Sequence, residues 1–466
     1  MNRKIFFSLL VGVSVIAETA FAQISGGIDD AMMQGIKNAY KNTSADKAIR
    51  NALNANSIQK LAVSADQKDV IDGYFSDWVY SRGVTDQKAS GRCWLFTGLN
   101  VFRAKMIDKY KLPEFEFSQN YNFFYDQLEK ANLFLQGVID TRQKPMSDQM
   151  VEWLFKNPLS DGGQFTGISD IIGKYGVVPK EVMNETFASN NTSQMASLLK
   201  LKLREYGLQL RELPVQTDME DIKRIKTEML GTVYRMLVLN LGEPPLEFTW
   251  TRKDINGKPV ETKQYTSKSF YNEYIGKDLT NGYVMLMNDP TREYYKLYEI
   301  DYDRHMYDGY NWRYVNLPVE DIKKMAIASI KDSTAMYFSC DVTKFLNRDK
   351  GTLDLNNYDY ESLMGTTFGM NKKQRVQSFA SGSSHAMTLV AVDLDDSGNP
   401  IKWLLENSWG ATNGYKGHLI MTDRWFDEYM FRLVVEKKYV PKKILNILSQ
   451  TPVRLPAWDP MFAPEK

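Results

Sequence analysis

The hydrophobic pattern of this chain changes from helical spacing in its front half to strand-like runs in its last third. After residue 93, apolar residues recur at helical intervals: Leu95, Leu99, Phe102 and Met106. Later runs rich in β-branched and aromatic residues predict strands at 334–341, 386–394, 402–406, 417–421 and 431–436. The chain is therefore predicted to be an α+β protein whose helices and strands come from different parts of the sequence.

Helical patterns also occur at 29–67, read as an arm with a helix, and at 116–136 and 147–156. The long stretch 193–241 is rich in Leu, Lys and Glu and is interrupted around Pro214, which predicts two helices. Residues Phe248 to Tyr265 predict a hairpin with Asn256-Gly257 as its turn.

Residues 1–22 have the order of a secretory signal, with Arg3 and Lys4, an apolar stretch, and then Ala20-Phe21-Ala22. Cleavage after Ala22 is predicted, so the mature protein is expected to be exported, either periplasmic or secreted. An uncleaved anchor is disfavoured because the apolar run is shorter than the roughly 20 residues that span a bilayer. No membrane attachment is expected after cleavage.

Composition points to a globular protein, since 43% of the 466 residues are hydrophobic. The formal net charge is +1, and removal of residues 1–22 leaves acidic and basic residues balanced. Nonspecific nucleic-acid binding requires a clustered cationic surface. A nucleic-acid partner is therefore not expected.

The two cysteines, Cys93 and Cys340, lie in different contexts. Cys340 falls within a predicted strand, where a small buried thiol is expected. Cys93 follows a polar, glycine-containing loop and begins a predicted helix, and a helix N-terminus favours the reactive thiolate. A disulfide between the two remains open for an exported chain.

Three histidines could supply the base that a nucleophilic thiol needs. His305 lies in the polar segment Asp-Arg-His-Met-Tyr and is expected at the surface. His418 begins a strand, where a structural role is expected. His385 follows Ser-Gly-Ser-Ser and opens a strand, so its ring can face a cleft at the end of a sheet. His385 is therefore the candidate base.

Asn407 ends the next strand, and its amide oxygen can accept the second ring N–H of His385. Trp409 could shield that hydrogen bond from water and line the substrate site. Each residue alone is weak evidence. A helix-start Cys93, a strand-start His385 and a strand-end Asn407 together indicate nucleophilic thiol catalysis.

Motifs spread along the chain extend this pattern: Gln87 to Trp94 around the cysteine, Phe117 to Tyr121, Asp161 to Gln164, Tyr358 to Tyr360, Ser384 to Met387, and Glu406 to Gly410. They resemble the papain-like cysteine peptidases, in particular the bleomycin hydrolase and aminopeptidase C branch. The resemblance runs from about Asp86 to Met461. It implies a two-lobed fold with a helical left lobe and a β-sheet or barrel right lobe.

The resemblance also implies roles for residues beside Cys93, His385 and Asn407, which together form the predicted catalytic triad. Gln87 is expected to supply a side-chain donor to the oxyanion hole, together with the backbone N–H of Cys93. Gly162 and Gly163 look like the glycine pair along which the substrate backbone lies, with a plain turn as the alternative. Peptides are the expected substrates and a homohexamer is the expected assembly.

The long interval between Cys93 and His385 requires inserted material compared with minimal papain-like enzymes. The expected divisions are a signal peptide (1–22), an N-terminal arm and helix (23–75), a left lobe (76–192), inserted helices and hairpin for oligomerisation (193–330), a right lobe (331–442) and a C-terminal arm (443–466).

The C-terminal arm resembles a family tail that enters the enzyme's own cleft. Docking through Trp458 and Pro460 is expected. The resemblance implies that the terminal carboxylate, here on Lys466, receives the free amine of the substrate and makes the enzyme an aminopeptidase. The ending 462–466 departs from the family's small-residue ending, so an endopeptidase with an open groove is the alternative.

The sequence thus predicts a cysteine-type aminopeptidase that trims peptides through an acyl-enzyme intermediate. A catalytically silent binding protein is a third hypothesis, disfavoured because no structural need explains Gln87 together with all three triad residues. No organic cofactor or metal is expected, since the histidines are few and scattered and thiol catalysis requires neither.

Overall fold

The computed structural model describes residues 26–65, 71–276 and 278–461. The predicted signal peptide and Lys466 lie outside these ranges. Within them, no helix has the length and apolar character needed to cross a membrane.

The chain divides into two compact units, and the first ends at Leu61. Its described part holds three short helices: α1 (Asp30–Ala39), α2 (Ser44–Ala55) and α3 (Ile58–Leu61). Asp29 caps α1 by accepting the backbone N–H of Met32. The predicted single helix of this region is therefore three helices, because polar capping residues such as Thr43 restart the helix.

The second unit, from Ala62 onward, contains the other helices. They are α4 (Cys93–Tyr110), α5 (Gln119–Asp140), α6 (Gln149–Lys156), α7 (Phe165–Tyr175), α8 (Phe187–Asn190), α9 (Thr192–Glu212), α10 (Met219–Leu241), α11 (Ser267–Tyr274), α12 (Leu279–Gly282), α13 (Val319–Lys331), α14 (Tyr360–Met364), α15 (Lys372–Gln377), α16 (Asp423–Tyr429) and α17 (Lys442–Leu445). Short 3₁₀ helices occupy Lys180–Val182, Lys437–Tyr439 and Asn446–Ser449.

The strands are β1 (Asp77–Trp78), β2 (Phe248–Lys253), β3 (Pro259–Tyr265), β4 (Tyr283–Met287), β5 (Lys296–Ile300), β6 (Arg313–Asn316), β7 (Met336–Cys340), β8 (Leu346–Asn347), β9 (Thr352–Leu353), β10 (His385–Leu394), β11 (Pro400–Glu406), β12 (His418–Thr422), β13 (Met430–Glu436) and β14 (Val453–Leu455). One large sheet has the order β14-β5-β6-β4-β13-β7-β10-β11-β12-β9-β8, with β1 paired to β10. Strands β2 and β3 form a separate hairpin.

Helix α4 lies at the centre of the second unit, against α5 and α7 on one side and β7 and β10 on the other. The sequence predicted an amphipathic helix, but every residue from Cys93 to Ala104 is buried. The difference arises because neighbouring elements cover α4 on all sides, and a helix between two layers has no face toward solvent.

Helices α9 and α10 and the β2–β3 hairpin match the predicted elements of 193–265 in type and position. The predicted insertion, 193–330, nevertheless divides within its length. Strands β4, β5 and β6 join the large sheet, where β4 pairs with β13. Only the part before Tyr283 stands apart from that sheet.

The C-terminal arm adds β14 to the edge of the large sheet, in parallel with β5. The predicted docking is wrong for Pro460, which is exposed, whereas Trp458 is 44% exposed and also lines a cavity. Three alternate residues are buried instead: Ala457, Asp459 and Met461. These residues follow β14 in turns, in which the Asp459 backbone N–H donates to the Pro456 carbonyl oxygen at 3.0 Å, so their burial follows from the turn and its partners.

Polar contacts hold this end of the arm. The Asp459 carboxylate accepts from Arg292, and the buried Arg432 donates to the Met461 carbonyl oxygen at 2.7 Å. The described part of the arm is therefore fixed against the large sheet.

Candidate active site

Cys93 is the first residue of α4 and is fully buried. The backbone N–H of Ala386 lies 3.4 Å from its Sγ, at the start of β10. Because Ala386 directly follows His385, this contact brings the start of the helix to the start of the strand. The structure thus joins two predicted site residues that lie almost 300 residues apart in the chain.

The loop before Cys93 is tied down on two sides. Arg92 is buried and makes a two-pronged ion pair with Glu185, with N–O distances of 3.1 and 2.8 Å. The backbone N–H of Gly91 donates to the Asp161 carboxylate at 2.8 Å. These contacts fix the direction in which α4 begins.

His385 and Asn407 meet as the sequence predicted. Nε2 of His385 lies 2.9 Å from Oδ1 of Asn407, and both residues are buried. The same Oδ1 accepts the backbone N–H of Ser408 at 2.8 Å, which fixes the amide orientation. Since Asn407 engages Nε2, the ring presents Nδ1 on its other side.

Gln87 links the cysteine loop to the Asn407 segment. Its Nε2 donates to the Ser90 carbonyl oxygen at 2.6 Å, and its Oε1 accepts from the Ser408 hydroxyl at 2.6 Å. Its backbone N–H donates to the Ser408 carbonyl oxygen at 2.8 Å. The side-chain amide nitrogen of Gln87 carries two hydrogens, and only one of them is needed for the bond to Ser90. The second N–H can donate to an oxyanion.

Trp409 covers the imidazole. Its ring centroid lies 5.0 Å from that of His385, with 31° between the planes. The Arg348 guanidinium lies over the Trp409 ring at 4.6 Å. An indole beside the His385–Asn407 hydrogen bond limits access of water to it.

The other cysteine and His418 occupy structural positions. Cys340 lies opposite His385 in the pairing of β7 with β10. Both cysteines remain thiols, so the disulfide alternative is wrong. His418 begins β12, and its Nδ1 lies 3.0 Å from the Lys416 carbonyl oxygen.

His305 is buried, which overturns the prediction that it is exposed. It is 3% exposed, and its Nδ1 lies 2.5 Å from Asp126 Oδ1. Lys130 pairs with the other carboxylate oxygen of Asp126 at 2.8 Å. Asp126 and Lys130 lie one turn apart on the same face of α5. His305 is far from them in the sequence, so only the folded chain brings the three side chains together.

The charges around His305 keep its ring neutral. Burial and the Lys130 ammonium hold the pKa of His305 below its usual value. Burial opposes ionisation of Asp126, but the Lys130 charge holds the pKa of that carboxyl below its usual range. A neutral His305 can then pack its ring edge-on against Trp94, at 4.6 Å between centroids.

The predicted glycine pair lies beside this cluster. Lys130 donates to the Gly162 carbonyl oxygen at 2.7 Å. A Cβ at Gly163 would collide with the His305 ring and would lie 2.9 Å from Trp94 Cδ2. Packing against His305 alone is therefore enough to require glycine at 163.

A cavity of about 310 Å³ opens at the glycine pair. The left-lobe segment 156–164 forms one wall, and the C-terminal arm residues Ala457, Trp458 and Asp459 form another. The arm thus borders the cavity that opens at the glycine pair.

One buried ion pair at the site was not predicted. Arg103 on α4 pairs with Glu406, the residue before Asn407. Burial raises the pKa of Glu406 to about 7, against the opposing effect of Arg103. The two residues lie about 300 positions apart in the sequence. The one sequence signal for the pair was that Glu406 directly precedes Asn407.

No group of three or more His, Cys, Asp or Glu side chains within the described ranges is arranged to hold a metal ion. The arrangement offers instead a thiol at a helix start, an imidazole oriented by an amide, and nearby amide donors. These are the parts that acyl transfer by a cysteine nucleophile needs.

Comparisons with known proteins agree with this geometry. The profile of the Peptidase C1-like family matches residues 27–462. The chain is 42% identical to bleomycin hydrolase of Mus musculus over 390 residues, 82% of this chain and 86% of that protein. It is 38% identical to aminopeptidase C of Lactobacillus delbrueckii subsp. lactis over 419 residues, 89% of this chain and 93% of that protein.

A solved structure extends the agreement to the fold. The crystal structure of PepW from Lactobacillus rhamnosis HN001 superposes with a TM-score of 0.91 at 35% identity, and covers 95% of this chain and 100% of that one. The papain-like two-lobed fold expected from the motifs is thereby confirmed. The chain belongs to the Peptidase C1-like family.

Proposed function

We propose that this protein is a cysteine-type aminopeptidase in which Cys93 is the nucleophile, His385 the base and Asn407 the residue that orients it. The observation that carries the proposal is the meeting of the α4 start with the His385–Asn407 pair, through the 3.4 Å contact at Sγ and the 2.9 Å contact at Nε2. Relatives named bleomycin hydrolase and aminopeptidase C support the same class of activity.

The nucleophile is activated by its surroundings. The N-terminus of α4 favours negative charge on Sγ, and an imidazolium at His385 adds to that effect. Asn407 holds Nε2, so Nδ1 is the nitrogen that takes the thiol proton.

Hydrolysis then proceeds in two halves. The thiolate attacks the scissile carbonyl carbon, and the oxyanion collapses as the C–N bond breaks and His385 gives its proton to the departing amine. Water, deprotonated by His385, next attacks the thioester. The freed amino acid leaves and the thiol is restored.

The oxyanion is the point at which fixed donors matter most. The Gln87 amide and the Cys93 backbone N–H are the proposed donors, and Ser90 and Ser408 hold that amide in place. Removing one such donor typically costs about 3 to 4 kcal/mol in the transition state.

Removal of N-terminal residues follows from the position of the C-terminal arm. The arm residues 457–459 line the cavity at Gly162 and Gly163, where the acyl part of a longer peptide would lie. An arm on that side of the groove leaves room for few residues before the scissile bond. We still predict that the terminal carboxylate of Lys466 binds the free amine of the substrate at this end of the groove.

Turnover of aminoacyl amides tests the proposal. Wild-type protein should release the reporter amine, and Cys93→Ala should reduce the rate to background. Cys340→Ala is the matched control because it removes the other buried thiol, and it should keep activity. Equal rates for wild type and Cys93→Ala would refute the assignment.

Blocked peptides separate an aminopeptidase from an endopeptidase. The full chain should cleave free peptides and leave their N-acetylated forms intact. A chain ending at Pro456 lacks the arm residues at the cavity and should gain activity on N-acetylated peptides. Rapid internal cleavage by the full chain would favour the endopeptidase.

Assembly into a homohexamer is also proposed from the family resemblance. Large apolar side chains on and beside α9 and α10 are exposed in the single chain, among them Leu201, Leu239 and Leu246. Exposed large apolar side chains are typical of a contact surface where they lie together. Light scattering should give six times the chain mass, and a monomer would contradict the proposal.

Export is proposed from the order of residues 1–22 alone. N-terminal sequencing of protein recovered outside the cytoplasm should begin at Gln23. An intact Met1 on exported protein would contradict cleavage.

A further inference from the structure

Arg348 lies in the loop between β8 and β9, with its side chain exposed to solvent. Its guanidinium sits 4.6 Å above the Trp409 ring. Among the ion pairs between described residues, none involves Arg348. The contact with Trp409 therefore holds the cation in place while its N–H donors remain directed to solvent.

This position lies near the reacting atoms. The Trp409 ring is 5.0 Å from the His385 ring, so the two contacts put the guanidinium within about 10 Å of the imidazole. An extended peptide advances about 3.4 Å per residue. The cation is therefore within reach of the second or third residue from the scissile bond.

The position of the other groove residues indicates on which side of the scissile bond Arg348 lies. The C-terminal arm and the glycine pair line one cavity, and under the proposed function that cavity takes the acyl part of the substrate. His385 protonates the departing amine under the proposed function, so the residues around its ring face the leaving peptide. Trp409 and Arg348 belong to that side.

We propose that Arg348, supported on Trp409, forms a carboxylate-binding subsite for the leaving peptide. It favours substrates with an acidic side chain, or a free C-terminal carboxylate, at the second residue after the scissile bond. A guanidinium presents paired N–H donors that match the two oxygens of a carboxylate. Stacking on the indole limits its rotation, so less freedom is lost on binding.

The subsite rests on the proposed function and is tested with matched peptides. Ala-Ala-Asp-Ala-amide and Ala-Ala-Asn-Ala-amide differ only in the charge at that residue, and Ala-Ala-Ala is compared as free acid and as amide. Release of the first alanine should be about three- to tenfold faster in kcat/KM for the charged member of each pair. The ratio should fall toward 1 at high salt, because exposed ion pairs are screened.

Substitutions in this loop separate a specific subsite at Arg348 from a general electrostatic effect of nearby positive charge. Arg348→Gln should bring both ratios close to 1, while Arg348→Lys should keep part of the preference. Lys350→Gln removes the same charge from the same loop and should leave the ratios as in wild type. A wild-type ratio of 1, an unchanged ratio in Arg348→Gln, or an equal fall in Lys350→Gln would overturn the proposal.

Binding without turnover distinguishes failure of the subsite from failure of the enzyme assignment. The same peptide pairs are titrated into Cys93→Ala, alone and combined with Arg348→Gln. Tighter binding of the Asp peptide that is lost with Arg348→Gln supports the subsite even if no peptide is hydrolysed. Equal binding of Asp and Asn peptides to Cys93→Ala refutes it even if hydrolysis is found.

Discussion

Arg103 and Glu406 form an ion pair whose side chains are 3% and 0% exposed. Arg103 belongs to α4, ten residues after Cys93, and Glu406 ends β11 directly before Asn407. Arg103 also donates to the Gly83 carbonyl oxygen at 3.1 Å, and the Ser81 hydroxyl donates to Glu406. One buried pair thus joins the nucleophile helix to the strand that delivers the amide.

Breaking this pair should be costly. Arg103→Met leaves the buried Glu406 without its cation, and removal of one partner of a buried pair typically costs about 3 to 5 kcal/mol. Urea unfolding should show that loss. Arg224→Gln is the control, since Arg224 forms exposed pairs on α10 and its loss should cost less than about 1 kcal/mol.

A double substitution checks the cause of that loss. Arg103→Met combined with Glu406→Leu removes both charges and should recover part of the stability lost in Arg103→Met. A double variant as unstable as the sum of the two single ones would show that the ion pair is not the source.

Asn407→Ala should lower kcat while changing KM little. The substitution removes the acceptor that orients His385, and a hydrogen bond to a charged ring contributes about 1.5 to 3 kcal/mol. The expected loss is therefore about 10- to 150-fold, measured with an aminoacyl amide. Asn399→Ala, in the exposed turn between β10 and β11, should keep wild-type kcat. An unchanged kcat in Asn407→Ala would argue against the orienting role.

Gly163→Ala should destabilise the protein and impair turnover together. The added methyl would meet the His305 ring and Trp94, the residue after the nucleophile. Gly173→Ala is a matched control on α7, where an added Cβ meets nothing within 4 Å. It should be neutral or stabilising by up to about 1 kcal/mol, because alanine favours a helix. Thermal unfolding of both variants decides, and equal shifts would contradict the packing argument.

Local patterns predicted the elements better than the contacts between them. The strand that begins at His385 and the strand that ends before Asn407 follow from runs of apolar residues, which any short window of sequence reveals. The burial of His305 depends on Asp126 and Lys130, and a polar segment can be buried when a distant helix supplies its partners.

The C-terminal arm shows the same limit in another form. Residues 457–461 form turns, and which side chains of a turn are buried depends on the partners that the folded chain places around it. The resemblance to the family tail favoured docking through Trp458 and Pro460. The structure buries Asp459 instead, because Arg292 supplies a partner that only the folded chain brings near.

Lys372 gives the protein a stability that depends on pH. It is buried at the start of α15, in the segment that leads to His385, and its Nζ donates to Asn288, Asp427 and Met430 at 2.6, 3.0 and 2.7 Å. Burial lowers the pKa of Lys372 to about 7. In the unfolded chain the same amine has a pKa near its ordinary 10.5.

The sign of the effect follows from the protons bound. Between about pH 7 and pH 10.5 the unfolded chain holds a proton on Lys372 that the folded chain has released, so stability rises with pH. Relative to Lys372→Met, wild type should gain up to about 1.4 kcal/mol per pH unit in that window. Urea unfolding at pH 7, 8 and 9 measures the difference, with Lys373→Met on the exposed neighbour as control. A constant difference between wild type and Lys372→Met across these pH values would show that the buried amine keeps its proton, held by its three oxygen acceptors.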